Sequence, residues 1–206
     1  SAASDVYKRQ LTIFYFCRSL ILEKITDRRL YHKDFVLIGS TKLTKLTIIG
    51  AGSAVFTKNI FTDLMFIDEF KKMDIALVDI DEKRLKISHE LLDVIAKKFN
   101  ASPNIKSYTD RREALVGSDF IQSTIQVGGY KPSTVIDFDI PKQFGLRQTI
   151  ADTLGIGGIM RGLRTIPVLV DIGKDIMDLC PNALWLQYVN PMCSNMIAIN
   201  LSLIHI

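Results

Sequence analysis

Leu46-Thr47-Ile48-Ile49-Gly50-Ala51-Gly52-Ser53 constrains this chain more than any other stretch. An apolar, β-branched run of this kind suits a strand buried on both faces. It breaks on two glycines, and Phe56, Ile60, Leu64 and Ile67 then recur at helical spacing. Strand, glycine turn and helix, in that order, form the local frame of a dinucleotide fingerprint. The glycines tighten the turn and let the backbone approach a pyrophosphate, and the helix N-terminus adds N–H groups and a partial positive charge. The match is incomplete, because Val55 stands at the pattern's third glycine. Asp79 follows the next apolar run, where a carboxylate can bind ribose hydroxyls and disfavour a 2′-phosphate. It lies 29 residues past Gly50, more than the usual spacing of about 20; a long first helix accounts for the difference. The alternative is a tight turn followed by a helix-capping aspartate.

The rest of the middle repeats the same alternation. Residues 74–79 read as a second strand, and Asp81 as the cap of a helix with Leu85, Leu92, Ile95 and Phe99 inward. Residues 105–108 form a third strand. Asp110 with Glu113 makes a capping box for a short helix to Val116. Residues 120–127 form a fourth strand, closed by Gly128-Gly129. An irregular stretch, 130–158, precedes a helix over 159–179 with Ile166, Leu169, Ile172 and Ile176 inward and a kink expected at Pro167. A strand over 183–189 ends at Asn190-Pro191. The fold class expected is α/β, a Rossmann-like parallel sheet with helices on both faces.

The net charge of +4 is unevenly placed. Residues 1–44 hold 8 Lys/Arg and 4 Asp/Glu, and the other 18 basic residues are matched by 18 acidic ones. No basic stripe or finger spacing marks a nucleic-acid partner. Cys17, Cys180 and Cys193 are too few and too odd for a disulfide scaffold and fit a reducing cytosol, so a cytoplasmic protein is expected. The apolar run 11–22 is broken by Arg18 and Ser19 and is shorter than the ~20 residues of a membrane span. No small-residue cleavage site follows it cleanly, as a signal peptide would require. No membrane partner is expected.

Both ends look foreign. Residues 5–10 (Asp-Val-Tyr-Lys-Arg-Gln) and 201–206 (Leu-Ser-Leu-Ile-His-Ile) resemble translations of one sequencing-adapter element and of its reverse complement. Such segments are set aside from fold reasoning. Residues 11–44 show no clean period, and no Met precedes Leu46; they are either an upstream region read in frame or a divergent N-terminal helix. The expected division is 1–44 as an adapter-derived and upstream segment, 45–200 as the nucleotide-binding domain, and 201–206 as an adapter-derived tail. The parent protein is expected to continue past Asn200, with this chain truncated before a substrate domain.

Other residues offer weaker signals. Asn190 closes a strand whose carboxyl end should face the cofactor crevice, although Asn-Pro is also an ordinary turn. The polar, glycine-rich run 148–158 is a functional loop or a surface loop. Arg161 and Arg164 clamp an anionic ligand or face solvent. His89 sits at a polar helix position and reads as surface. Cys180 and Cys193 have no His at ligand spacing, so no metal site is assigned within the chain.

Taken together, Ile49–Ser53, Val78-Asp79-Ile80-Asp81, Gly128-Gly129-Tyr130, the 148–158 loop, Arg161-Gly162-Leu163-Arg164-Thr165-Ile166-Pro167 and Tyr188–Met192 resemble glycoside hydrolase family 4, and most of all its α-galactosidases. The resemblance covers about residues 45–200. This family is an NAD-dependent exception to two-carboxylate glycoside hydrolysis. The resemblance implies hydride removal at the sugar C3, loss of the C2 proton to a base with a divalent metal, usually Mn2+, stabilising the charge, elimination of the glycosidic oxygen, water addition and return of the hydride. It implies that Gly50, Gly52 and Ser53 hold the NAD pyrophosphate and Asp79 the adenine-side ribose. Asn190 would contact sugar hydroxyls, and Gln148, Thr149 and Asp152 would line the sugar site. The metal ligands and the tyrosine base would lie downstream, so no catalytic residue is named; Cys193 falls too soon after Asn190 to be the metal cysteine. Ile156 stands where the family usually has proline. Gln126 and Met192 favour an unphosphorylated sugar. The implied activity is hydrolysis of small α-galactosides by a protein that is a homo-oligomer when intact. An α-glucosidase or α-glucuronidase of the same family, or a 2-hydroxy-acid dehydrogenase, is the alternative.

Overall fold

The computed structural model describes residues 43–148, 153 and 155–203. Five parallel strands form one sheet in the order β3-β2-β1-β4-β5. They are β1 (Lys45–Ile49), β2 (Asp74–Val78), β3 (Asn104–Tyr108), β4 (Phe120–Ser123) and β5 (Leu184–Gln187). The expected parallel α/β sheet is therefore present. β1 lies at the centre, pairing Ile48 with Leu77 on one side and with Gln122 on the other. Its apolar run is explained by that position, since both faces and both edges are covered.

The crossovers between the parallel strands carry helices. α1 (Ala54–Met65) and α2 (Glu82–Lys98) link β1 to β2 and β2 to β3 in one direction and pack on each other. The path then reverses. α3 (Arg111–Leu115), α4 (Asp137–Gln143) and α5 (Gly155–Leu179) lie on the way to β4 and β5, and α6 (Met192–Leu203) follows. Under α5 the core joins Ile49, Leu115, Ile121, Leu169, Ile172, Ile176, Val189 and Ile199. Asp81 caps α2 through the amides of Lys83 and Arg84, and Asp110 caps α3 through that of Arg112.

Several expected boundaries and faces differ. α1 buries Thr57, Ile60, Phe61, Leu64 and Met65; Phe56 is 39% exposed and Ile67 lies past the helix end. Thr57 replaces Phe56 in the interior because its hydroxyl finds a partner there, the Ala51 carbonyl. β4 stops at Ser123, where Thr124 donates its amide to Ile49 O at 2.8 Å and leaves the ladder. β5 stops at Gln187, whose side-chain carbonyl accepts from Val189 N.

The stretch expected to be irregular contains a π-helical turn, Lys131–Ile136, and then α4. α5 begins at Gly155 and is continuous through Pro167, with no break where a kink was expected. Pro167 and Leu163 lie on its outer face, where water can take the carbonyl that proline leaves unbonded. α6 was not expected: it carries no charge and shows no polar face. It runs three residues past 200, and Leu203 packs at Gly173 of α5. Among the described residues no helix is long and apolar enough to cross a membrane.

Candidate functional site

The order reverses between β1 and β4, and such a reversal opens a crevice at the carboxyl ends of the strands. The glycine loop lies there. Gly50 has φ +90°, and both it and Ala51 donate their amides to Val78 O at 2.9 Å. A Cβ on Gly50 would lie 2.8 Å from the Thr124 carbonyl carbon and 2.9 Å from Ile125 N. Gly52 donates its amide to Asp79 Oδ2 at 2.7 Å, and a Cβ there would lie 2.6 Å from the same oxygen. The second Asp79 oxygen accepts from Asp81 N at 2.9 Å. Ser53 is the N-cap of α1; its amide donates to Gly50 O at 3.0 Å, and its side chain makes no capping hydrogen bond. The structure thus brings Gly50, Gly52, Ser53 and Asp79 into one cradle at a helix N-terminus. Side chains are excluded from it at two positions, so the cradle fits a pyrophosphate flanked by a ribose.

The far side of the crevice is built differently. Gly128 and Gly129 both have positive φ, +89° and +70°, and turn the chain out of β4. Arg164 of α5 reaches across to Asp137 of α4. Its Nη1 donates to Oδ1 at 3.0 Å and its Nη2 to Oδ2 at 2.5 Å; Asp137 is fully buried and Arg164 partly so. The pair ties α4, and the turn that follows Gly129, to α5. Gln148 is also brought to α5, where its Oε1 accepts from Gly157 N at 3.3 Å in the first helical turn. Thr149 and Asp152 lie outside the described residues. Asn190 sits half-buried just past β5, joined to Pro191 by a cis peptide. Behind it, Asn195 is fully buried, donating its backbone amide to Pro191 O and its side-chain amide to Val189 O.

A cluster of charges braces α5 from the rear. Arg111 pairs with Asp171 and with Asp175, the latter at 2.6 Å; Arg112 pairs with Asp175 and, at 2.6 Å, with Asp178. Burial alone would raise the Asp175 carboxyl, but the hydrogen bonds and charges of Arg111 and Arg112 outweigh it and hold the group below the usual range. Cys180 is buried, and burial pushes its thiol up. Cys193 is exposed. Among the described residues no group of three or more His, Cys, Asp or Glu side chains could hold a metal.

Sequence reasoning missed Thr57, Ser88, Asp137 and Asn195. For Ser88 the usable signal was a polar residue where the helical period of Leu85, Leu92 and Ile95 demands an apolar one; the other three carried no such signal.

Comparison with known proteins supplies the context. The sequence profile described as family 4 glycosyl hydrolase matches residues 45–204. An α-galactosidase of Bacillus subtilis (strain 168) is 53% identical over 152 residues, 74% of this chain and 35% of that protein. An α-galactosidase of Rhizobium meliloti (strain 1021) is 40% identical over 152 residues, 73% of this chain and 31% of that protein. The chain therefore spans about a third of the length of these relatives. A crystal structure of a 6-phospho-α-glucosidase from gut microorganisms, in complex with NAD and Mn2+, superposes with a TM-score of 0.68 at 25% identity, over 79% of this chain and 36% of that one.

Proposed function

The chain belongs to family 4 of the glycosyl hydrolases, and from that premise we propose that the whole protein is an NAD-dependent α-galactosidase acting on small α-galactosides. The observation that carries the cofactor part is the glycine cradle, in which a side chain at Gly50 or Gly52 would collide with its surroundings. When bound, NAD would supply a reversible hydride acceptor beside the sugar ring. Gly50, Gly52 and Ser53 would hold its pyrophosphate against the α1 N-terminus. Asp79 would accept from the ribose hydroxyls, and its charge would repel a 2′-phosphate. Asn190 would bind sugar hydroxyls beside the nicotinamide, with Gln148, Thr149 and Asp152 lining the sugar. Manganese enters the proposal through the relative solved with it; the described residues do not form a site for it. The galactose preference rests on the 53% and 40% identities to α-galactosidases, and Gln126 and Met192 support an unphosphorylated sugar.

The test is hydrolysis of an aryl α-galactoside by the whole protein with NAD and manganese. Turnover that requires NAD yet accumulates no NADH supports the proposal. Turnover that ignores NAD, or NADH accumulating with a hydroxy acid, overturns it.

A further inference from the structure

Ala51 lies between the two glycines of the cradle and is fully buried. Its carbonyl oxygen accepts two side-chain hydroxyls, Thr57 Oγ1 at 2.9 Å and Ser88 Oγ at 2.7 Å. Thr57 belongs to α1 and Ser88 to α2, and both are completely buried. Two hydroxyls removed from water would each be costly if left unpaired; here both are spent on one carbonyl of the loop. Val55, at the position of the missing third glycine, is 64% exposed and takes no part in this packing.

The carbonyl of Ala51 and the amide of Gly52 share one peptide, and in a planar trans peptide they point in opposite directions. Holding the oxygen against α1 and α2 therefore aims the Gly52 N–H outward, to Asp79 Oδ2. We infer that Thr57 and Ser88 are positioning residues for the NAD site, which fix the Ala51–Gly52 peptide plane and through it the Gly52 amide and the Asp79 carboxylate. This inference rests on the NAD reading above. Without the hydroxyls the plane is free to rotate, and only the fraction of molecules with the amide outward binds the cofactor well.

The experiment titrates the 206-residue chain with NADH by fluorescence, at a temperature where circular dichroism shows it folded. T57V and S88A are each expected to raise the Kd about fivefold, the worth of one hydrogen bond, and the double variant about twentyfold or more. T57S, which keeps the hydroxyl, is expected to bind as the parent does, and that rescue separates positioning from general loosening of the core. Folded variants whose Kd stays within twofold of the parent would overturn the inference while leaving the NAD reading intact. A parent chain that folds but binds no NADH would overturn both. Should S88A fail to fold, the comparison of T57V with T57S decides alone.

Discussion

Gly50 and Gly52 stand two residues apart in one loop, yet the structure gives them different duties that alanine substitution separates. At Gly50 the φ of +90° costs a side chain about 1–2 kcal/mol. Its Cβ would also press on the main chain of Thr124 and Ile125 at 2.8–2.9 Å, and such overpacking costs about 1–3 kcal/mol. Neither side can yield easily, because Thr124 N is tied to Ile49 O by the bond that ends the β1–β4 ladder. G50A is therefore expected to lose about 2–5 kcal/mol of stability. At Gly52 the obstacles are the Asp79 carboxylate, which can swing away, and Arg84 Cβ at 3.0 Å, which must give by a few tenths of an ångström. The loss is then one hydrogen bond to a charged group, about 1.5–3 kcal/mol, partly offset by about 0.4–1 kcal/mol from a stiffer unfolded chain. Urea unfolding with an m-value of about 2 kcal/mol/M should show G50A shifted down by about 1–2.5 M and G52A by about 0.2–1.3 M. In NADH titration G52A should lose about tenfold or more in affinity, since the displaced carboxylate is the proposed ribose ligand. A G50A chain that unfolds with the parent, or a G52A chain that binds NADH as the parent does, would refute this reasoning.

Three further outcomes are expected. D137N should cost about 3–5 kcal/mol, because it leaves the Arg164 guanidinium beside a neutral amide in a buried site; replacing both residues with apolar ones should recover much of that in a double-mutant cycle, and full additivity would count against the pair. Asp175 is held below its ordinary range, so its contribution to stability is complete above the unfolded carboxylate value of about 3.9 and disappears as pH falls through the folded value. The melting temperature of D175N should thus lie below the parent's at pH 7 and converge on it in acid, and a gap equal at both extremes would exclude the mechanism. D79N should narrow the preference for NADH over NADPH by removing the charge that faces the ribose, as read by titrating both cofactors; an unchanged ratio would place the ribose elsewhere.

The parts legible in the sequence were those whose causes are local. β1 falls on the apolar run that leads into Gly50, because an apolar β-branched run flanked by a glycine turn has few other uses. Asp81 and Asp110 cap the helices they precede, because capping is settled within three residues. The parts not legible depend on partners distant in sequence. Thr57 rather than Phe56 faces inward because of a carbonyl six residues back in the loop. Arg164 pairs with Asp137, a residue 27 positions earlier in a stretch that showed no period in the sequence. α6 left no amphipathic trace, since apolar residues run all round it and only Asn195 and Ile199 are buried.

The two sides of the crevice differ in how they are held, and that difference bears on how a fold of this kind changes substrate. The cofactor side is fixed by main-chain bonds to Val78 O and Gly50 O, two buried hydroxyls and two glycines packed at their limits. Nearly every substitution there meets backbone or strands a polar group. The opposite side hangs from α5, a single 25-residue helix anchored at the rear by Arg111 and Arg112. Its front end carries the Arg164–Asp137 pair and the Gln148 contact. Exposed side chains near its front end, such as Ile159 and Leu163, can change without disturbing the sheet, because Leu169, Ile172 and Ile176 seat the helix on the core and the rear ion pairs hold it. The glycine loop can therefore stay fixed while the opposite side varies, which accords with a TM-score of 0.68 at 25% identity. Under the proposed function, the residues that choose the sugar are accordingly expected along 128–148 and after β5, on elements braced by side chains, and not in the glycine loop that main-chain bonds already determine.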